Sequence, residues 1–202
     1  MPSPEFRFYA ITDRQRCAPR PLIEVVGELL DAGVRGFQIR EKDLEPADLA
    51  LLACPIVRLC RHHRARVLIN SHLQVALDIG ADGVHLPAAA QMRVEHRELL
   101  VGRSIHSLEE AEGEADFFVY SPIFPTPSKP GVPAKGLEGL RRVAQASPIP
   151  VFALGGVTPE RVEGCLQAGA FGVAAISGLM RPEGAGVQAR AYLEQLTGVL
   201  QR

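Results

Sequence analysis

The feature that most constrains how this chain can fold is a regular alternation of short β-rich runs with longer amphipathic stretches. Most of the β-rich runs are continuously apolar, which is typical of parallel strands that are covered on both faces. Eight predicted strands follow from this pattern: Phe6–Thr12, Val34–Arg40, Arg66–Asn70, Asp82–Leu86, Leu100–Ile105, Ala115–Ser121, Ile149–Leu154 and Gly172–Ser177. The predicted helices between them include Pro21–Ala32, Pro46–His63 and Pro159–Ala168, each beginning with proline at the first turn.

A glycine-capped junction recurs where a predicted helix runs into a strand, around Gly33, Gly80 and Gly169. Gly33 and Gly80 are 47 residues apart and Gly80 and Gly169 are 89 apart, close to two and four copies of a unit of about 23 residues. Eight such units nearly fill the chain, which predicts an α/β fold consisting of a single (β/α)8 TIM barrel over residues 1–202. An open doubly wound sheet is the alternative, but no G-x-G-x-x-G motif follows the first strand.

The composition argues against some classes of function. Lys and Arg number 22 against 23 Asp and Glu, and a net charge of −1 argues against binding nucleic acid or an anionic membrane through bulk charge. The first residues form no basic and apolar signal segment, and the four cysteines form no C-x-x-C pair. We therefore expect a cytoplasmic protein with reduced thiols, no nucleic-acid partner and no membrane partner.

Polar residues and glycines follow the predicted strands at their carboxyl ends. In a TIM barrel these ends share one rim, and the active site lies there. Any one of these residues can be a cap or a loop residue, but a whole ring of them indicates a binding site. The ring contains Thr12, Asp13, Arg40, Lys42, Asn70, Ser71, His85, Ser104, His106, Ser121, Gly155, Gly156, Ser177 and Gly178.

The glycines after the last two strands indicate a phosphate site. Gly155 and Gly156 follow the seventh strand, and Ser177 and Gly178 can open a short helix after the eighth. Backbone N–H groups at such turns bind phosphate, and glycine lets the backbone approach the ligand closely. Two ordinary tight turns are the alternative.

Two cationic side chains are candidates for binding a further anion. Arg40 is expected to point into the rim, where a guanidinium can hold a carboxylate or a phosphate through two hydrogen bonds. The proline-rich segment 122–131 has the length of a lid, and its Lys129 either reaches an anion or remains solvated.

His106 is the candidate acid and base among the six histidines. It follows the fifth strand, just before a predicted cap at Ser107 and a predicted helical segment over 108–111. A histidine at the rim can take and return a proton, although a structural role is equally open from the residues alone. His85 is either a hydrogen-bonded barrel histidine or a catalytic one, and His72 is either a rim residue or a cap.

Five motifs, in order along nearly the whole chain, resemble the thiamin phosphate synthase superfamily. They are Tyr-Ala-Ile-Thr-Asp at 9–13, Gln-Ile-Arg-Glu-Lys at 38–42, Leu-Ile-Asn at 68–70, Gly-Ala-Asp-Gly-Val-His-Leu at 80–86 and Ala-Leu-Gly-Gly-Val at 153–157. The resemblance implies a (β/α)8 barrel and a thiazole phosphate substrate. The synthases join this substrate to a pyrimidine diphosphate and release diphosphate with Mg²⁺.

Two departures point instead to the TenI-type branch of the superfamily, the thiazole tautomerases. Ser71 stands where synthases carry an aspartate, and Leu86–Gln91 lacks the second aspartate of that pattern. Those aspartates are the magnesium ligands of the synthases, and Mg²⁺ requires hard oxygen ligands. The segment 102–111, Gly-Arg-Ser-Ile-His-Ser-Leu-Glu-Glu-Ala, resembles the tautomerase branch.

The tautomerase resemblance implies that a carboxythiazole phosphate becomes aromatic through a proton shift, without a metal or cofactor. It implies that His106 is the proton shuttle. Lys42 and Lys129 match diphosphate-contacting positions of the synthases and can instead hold the substrate carboxylate. The remaining implied positions are Arg40, Asn70 and Ser104 along the site and Gly155, Gly156, Ser177 and Gly178 at the phosphate.

The sequence therefore favours a metal-independent thiazole tautomerase acting through His106. A thiamin phosphate synthase that requires Mg²⁺ is the alternative. A non-catalytic thiazole-phosphate-binding or regulatory protein is an alternative of another class. The expected partner is the small-molecule thiazole phosphate, and a homo-oligomer is compatible with a sequence that does not determine the oligomeric state.

Overall fold

The computed structural model describes residues 4–92, 94–96, 98–111, 114–128 and 130–200 of the chain. Eight parallel strands close into a barrel in sequence order, and the last strand pairs with the first. The predicted (β/α)8 barrel is confirmed, and some predicted strands are one or two residues too long at their ends. The strands are β1 (Phe8–Ile11), β2 (Gly36–Ile39), β3 (Arg66–Asn70), β4 (Gly83–Leu86), β5 (Leu100–Ile105), β6 (Phe117–Tyr120), β7 (Val151–Ala153) and β8 (Gly172–Ala175).

Helices cover the outside of most of the barrel. The predicted helices over Pro21–Ala32 and Pro46–His63 are confirmed to within one residue at each end, whereas the predicted helix Pro159–Ala168 begins with a 3₁₀ turn over Pro159–Arg161. The α-helices are α1 (Arg14–Cys17), α2 (Leu22–Asp31), α3 (Pro46–His62), α4 (Leu73–Asp78), α5 (Gly136–Ala146), α6 (Val162–Gln167) and α7 (Ala185–Leu200).

Two predicted short helices are wrong. Residues 108–111 form a turn instead, and the Glu110 carboxylate accepts the backbone N–H of His106 at 2.6 Å. A single helical turn gains little backbone stabilisation, so a side-chain acceptor of this kind can replace it. After β8, the Ile176 carbonyl accepts two backbone N–H groups at 3.0 and 2.9 Å, which also makes only a turn. Pro182 follows and has no N–H to extend the turn.

Aromatic rings pack together inside the barrel. Tyr9 meets Phe117 edge-on at 5.4 Å, and Phe117 meets Phe152 at 5.2 Å. Small residues make room for these rings, since a Cβ atom at Gly36 would collide with the ring of Phe6. The interior is therefore a packed core, and a ligand can enter only at the rim.

The last helix, α7, completes the outer layer of helices by packing between α6 and α2, next to β1. The ring of Tyr192 stacks on Phe8 at 4.7 Å, and its hydroxyl donates to the Val157 carbonyl at 2.7 Å. This contact anchors the segment that follows β7, which carries two of the predicted phosphate-binding glycines. In the described part of the chain, no helix has the length and apolar character needed to span a membrane.

Replacing Gly83 with Ala should destabilise the barrel by roughly 3 kcal/mol, because the new Cβ atom would collide with the backbone carbonyl of Leu100 on β5. Gly198 in α7 is a matched control, because a Cβ atom there meets nothing within 4 Å. Gly198→Ala should raise stability by about 0.5–1 kcal/mol through its helix propensity. Urea unfolding measures both changes, and a Gly83→Ala protein as stable as the wild type would contradict this packing.

Candidate active site at the carboxyl ends of the strands

The two predicted glycine turns lie side by side at the rim. Gly155 and Gly156 have φ values of +96° and +62°, the left-handed region that favours glycine. A cavity of about 310 Å³ is lined by both turns, including Ser177 and Gly178, and by Ser121 at the end of β6. Within the described residues, the backbone N–H groups of Gly156, Ser177 and Gly178 have no acceptor. The arrangement can therefore hold a phosphate-sized anion.

The segment after β6 closes one side of this cavity. The backbone N–H groups of Ile123 and Phe124 donate to the carbonyls of Leu154 and Gly155, both at 2.9 Å. Pro125 and the residues up to Ser128 line the cavity wall. The start of the predicted lid is thus fixed to the end of β7, while its candidate residue Lys129 lies outside the residues that the structure describes.

Arg161 is a cavity residue that the sequence reasoning missed. Its guanidinium lies 4.5 Å from the ring centre of Phe124 and donates to the Gly156 carbonyl at 2.6 Å. It therefore joins the lid segment to the phosphate turn. Its place in the 3₁₀ turn shortly after Gly155-Gly156 is the sequence signal that could have identified it.

His106 is held at the rim by two contacts. Its backbone N–H donates to Glu110, and its Nδ1 lies 3.0 Å from the Ser121 carbonyl oxygen. A carbonyl oxygen can only accept, so Nδ1 carries the proton of the neutral imidazole. Nε2 therefore has a free lone pair, which is what a general base requires. His106 does not itself line the cavity of the candidate phosphate site, but it contacts Ser121, which does.

Arg40 and Lys42 provide positive charge on the opposite side of the rim. Burial lowers the pKa of the half-buried Arg40, and the nearby charge of Arg40 lowers the pKa of Lys42. The adjacent carboxylates of Glu41 and Asp43 pair with Arg14 instead. Among the described residues neither cation forms an ion pair, although the charges of Asp13 and Glu41 lie near enough to act on Arg40. Two neighbouring cations of this kind are suited to an anionic ligand.

Glu41 positions this cationic turn, a role that the sequence reasoning also missed. Its side chain accepts the Thr12 hydroxyl at 2.6 Å and the Arg14 backbone N–H at 3.0 Å, and the residue is only 5% exposed. The Thr12 hydroxyl oxygen in turn accepts the Arg40 backbone N–H at 2.9 Å. These bonds clip the ends of β1 and β2 together. An acidic residue between two cations was the available signal in the sequence, but the partners of Glu41 lie in the segment after β1.

His85 is a hydrogen-bonded histidine inside the barrel, the structural alternative considered for it. It is 2% exposed, and its Nε2 lies 3.0 Å from the Ser104 hydroxyl. Burial, with a smaller contribution from the charge of Arg40, lowers its pKa to about 3. His85 is therefore neutral at physiological pH, and it supports Ser104 from below the rim. His72 lies at the start of α4 but makes no side-chain cap there.

The donor set at the ends of β3 and β4 does not fit Mg²⁺. Ser71 carries a hydroxyl instead of a carboxylate, and that hydroxyl oxygen accepts the Asn70 amide at 3.0 Å. In the following segment Arg103 donates to the Ala90 carbonyl at 2.8 Å, which brings a positive charge to this loop. Mg²⁺ prefers carboxylate and phosphate oxygens, and a guanidinium repels it. Within the described residues, no three His, Cys, Asp or Glu side chains cluster as metal ligands.

Comparison with known proteins finds relatives over nearly the whole chain. The family described as "Thiamine monophosphate synthase" (TMP-TENI) matches residues 8–179. The chain is 42% identical over 180 residues to "Putative thiamine-phosphate synthase 2" of Aquifex aeolicus, a match that covers 85% of this chain and 96% of that protein. It is 41% identical over 204 residues to "Putative thiamine-phosphate synthase" of Geobacter sulfurreducens, covering 95% of each. A solved structure, "Thiamine phosphate pyrophosphorylase" from Pyrococcus furiosus, has a TM-score of 0.86 at 30% identity and covers 96% of this chain and 97% of its own.

Gly156→Ala should weaken phosphate binding at least about tenfold, because the new Cβ atom would lie 2.6 Å from the Pro125 carbonyl oxygen and 2.8 Å from the Phe124 Cβ atom. Gly184 is the matched control, since it also has a positive φ of +69° but a Cβ atom there meets nothing within 4 Å. Gly184→Ala should lower stability by about 1 kcal/mol and leave binding unchanged. Calorimetric titration with a thiazole phosphate measures the affinities, and equal affinities for the two variants would contradict this assignment of the turn.

Burial of His85 predicts a pH dependence of stability. Its folded pKa of about 3 lies below the ordinary value of 6.5, so the unfolded chain gains a proton between these values and the folded chain does not. The contribution of neutral His85 to the free energy of unfolding is therefore fully present above pH 6.5 and is smaller by about 2 kcal/mol at pH 5. Urea unfolding above pH 6.5 and at pH 5 measures the loss of stability at the lower pH. This loss should be smaller for His85→Gln than for the wild type and unchanged for the exposed control His96→Gln. A His85→Gln protein that loses as much stability as the wild type would contradict the prediction.

Proposed function

This chain belongs to the thiamine monophosphate synthase family, and we propose from this premise that it isomerises a carboxythiazole phosphate to its aromatic form. The family and the relatives support an enzyme of thiamin biosynthesis. The single observation that carries the finer proposal is His106, whose fixed Nδ1–H leaves Nε2 as a free base at the rim. The ends of β3 and β4, which lack carboxylates, support the same choice because a proton shift needs no metal.

The substrate would lie across the rim between the two anion-binding regions. Its phosphate would accept the free backbone N–H groups of Gly156, Ser177 and Gly178. Its carboxylate would face Arg40 and Lys42, where Arg40 is half-buried and its charge acts directly on Lys42. Binding at both ends would hold the thiazole ring in one orientation, which is how positioning accelerates a reaction within one molecule.

The proton shift can then proceed through one residue. Nε2 of His106 removes the proton from the ring carbon that bears the carboxylate, and the electron pair moves through the ring to the exocyclic carbon. The imidazolium is stabilised because its Nδ1–H still donates to the Ser121 carbonyl. Nε2 returns the proton to the exocyclic carbon, so the ring becomes aromatic and His106 is neutral again. No atom is gained or lost overall.

Thiamin phosphate synthesis is the second candidate. The names of the relatives favour this candidate over the tautomerase, and Arg40 and Lys42 can equally face a diphosphate. That reaction joins a pyrimidine diphosphate to the thiazole phosphate and releases diphosphate. Its Mg²⁺ would need ligands other than Ser71 and residues 86–91, which offer no carboxylate.

A proton NMR time course distinguishes these functions. The protein is mixed with the thiazole phosphate tautomer, the pyrimidine diphosphate and Mg²⁺, with matched samples that contain EDTA or lack protein. We expect the aromatic thiazole to accumulate faster than without protein, at a rate that EDTA leaves unchanged. Thiamin phosphate that forms only without EDTA would overturn the proposal in favour of the synthase. Tight binding without either product would overturn it in favour of a non-catalytic binding protein.

His106→Ala should lower the tautomerisation rate by about 100-fold to 10,000-fold, because no other group replaces its Nε2. Thiazole phosphate binding should persist, since the glycine turns are unchanged. His96→Ala is the control, because His96 is exposed and pairs only with Glu98 in the described structure. The same NMR time course gives the rates, and an active His106→Ala protein would contradict the assigned role.

A further inference from the structure

We propose that Tyr9 is a positioning residue that acts through His85 to point the Ser104 hydroxyl proton toward the ligand. The inference rests on the proposed function in one respect, namely that Ser104 faces the substrate at the rim. It assigns a role in the reaction to Tyr9, a residue that lies inside the barrel beneath the rim.

A line of four polar side chains crosses the barrel interior. Gln38 Nε2 lies 3.3 Å from the Tyr9 hydroxyl, which lies 3.5 Å from His85 Nδ1. His85 Nε2 lies 3.0 Å from the Ser104 hydroxyl. The four residues come from β2, β1, β4 and β5, so the line depends on barrel closure. Only Ser104, the last member, reaches the rim.

We assign one direction to the hydrogen bonds of this line, from the Gln38 amide to the Ser104 hydroxyl. The Gln38 amide nitrogen donates, so the Tyr9 oxygen accepts and its own proton is left for His85. Burial raises the pKa of Tyr9, so the hydroxyl keeps that proton, which it gives to Nδ1 of His85. Neutral His85 must then carry its proton on Nε2 and donate it to the Ser104 oxygen. The Ser104 proton cannot point back to His85 and is therefore available to a ligand at the rim.

The surroundings of the line keep this direction fixed. Tyr9 is fully buried, and Gln38 and His85 are each 2% exposed. The rings of Phe6, Phe117 and Phe152 surround Tyr9 and offer no competing acceptor. The Arg40 charge near His85 opposes a second proton on the imidazole, so the ring stays neutral.

Removing the Tyr9 hydroxyl should loosen the orientation of Ser104. In Tyr9→Phe, either tautomer of His85 leaves one buried ring nitrogen without a partner. The two tautomers therefore approach each other in energy, and the Ser104 hydroxyl points inward in one of them. A buried hydrogen-bond network holds a side chain in one orientation best when every donor and acceptor in the network has a partner.

A double-mutant cycle tests this coupling. Ser104→Ala should lower kcat of the reaction seen in the NMR time course by about 100-fold, and Tyr9→Phe should lower kcat by about tenfold with KM nearly unchanged. In the Ser104→Ala background, Tyr9→Phe should have no further effect, because the group that it positions is gone. A tenfold loss in that background as well would overturn the proposal. Phe152→Leu is the packing control, and its effect should be the same in both backgrounds.

The tautomer of His85 provides a test that does not depend on activity. In protein labelled with ¹⁵N-histidine, long-range proton–nitrogen correlation spectra should show His85 with unprotonated Nδ1 and protonated Nε2, and His85→Gln identifies its signals. Tyr9→Phe should bring the two nitrogen shifts closer together. A protonated Nδ1 of His85 in the wild type would overturn the proposed role of Tyr9, whether or not the protein catalyses the reaction. The expected tautomer together with no tautomerase activity would overturn the proposed function alone.

Discussion

Closure of eight parallel strands into a barrel is the constraint on which the rest of this structure depends. Closure leaves one enclosed interior, which aromatic rings such as Phe117 and Phe152 fill beside glycines that make room for them. Parallel strands in a barrel also end at one rim, so residues far apart in the sequence meet there. The ligand must therefore be bound by strand ends and the loops that follow them.

The rim combines a backbone site with a side-chain site. Gly156, Ser177 and Gly178 present backbone N–H groups that have no acceptor among the described residues. Such groups can hold an anion without adding a buried charge to the protein. Arg40 and Lys42 add positive charge on the other side, and the Glu41 carboxylate holds their turn in place. His106 lies beside the first site through Ser121. This division suits a ligand that carries an anionic group at each end.

The family of this protein and its proposed reaction are inferred from different parts of the chain. The family model matches residues 8–179, and relatives at 42% and 41% identity are named as putative synthases. The proposed difference in reaction rests on Ser71, on the segment after β4 and on His106. A function depends on the few residues of a site, so a difference in oxygen ligands can change a reaction while the fold stays the same.

The sequence by itself determined the eight strands and the helices α2, α3 and α6 between them, because apolar runs and glycine-capped helix ends are local signals. It also determined which polar residues follow the strands, including Asn70, Ser104 and His106. It failed at residues 108–111, where the Glu110 side chain, in place of a helix, accepts the His106 N–H. Only the tertiary structure decided which side chains meet. The bond between Thr12 and Glu41 spans 29 residues and exists because β1 pairs with β2. The contact between Tyr9 and His85 spans 76 residues and joins β1 to β4, so it exists only because the barrel closes.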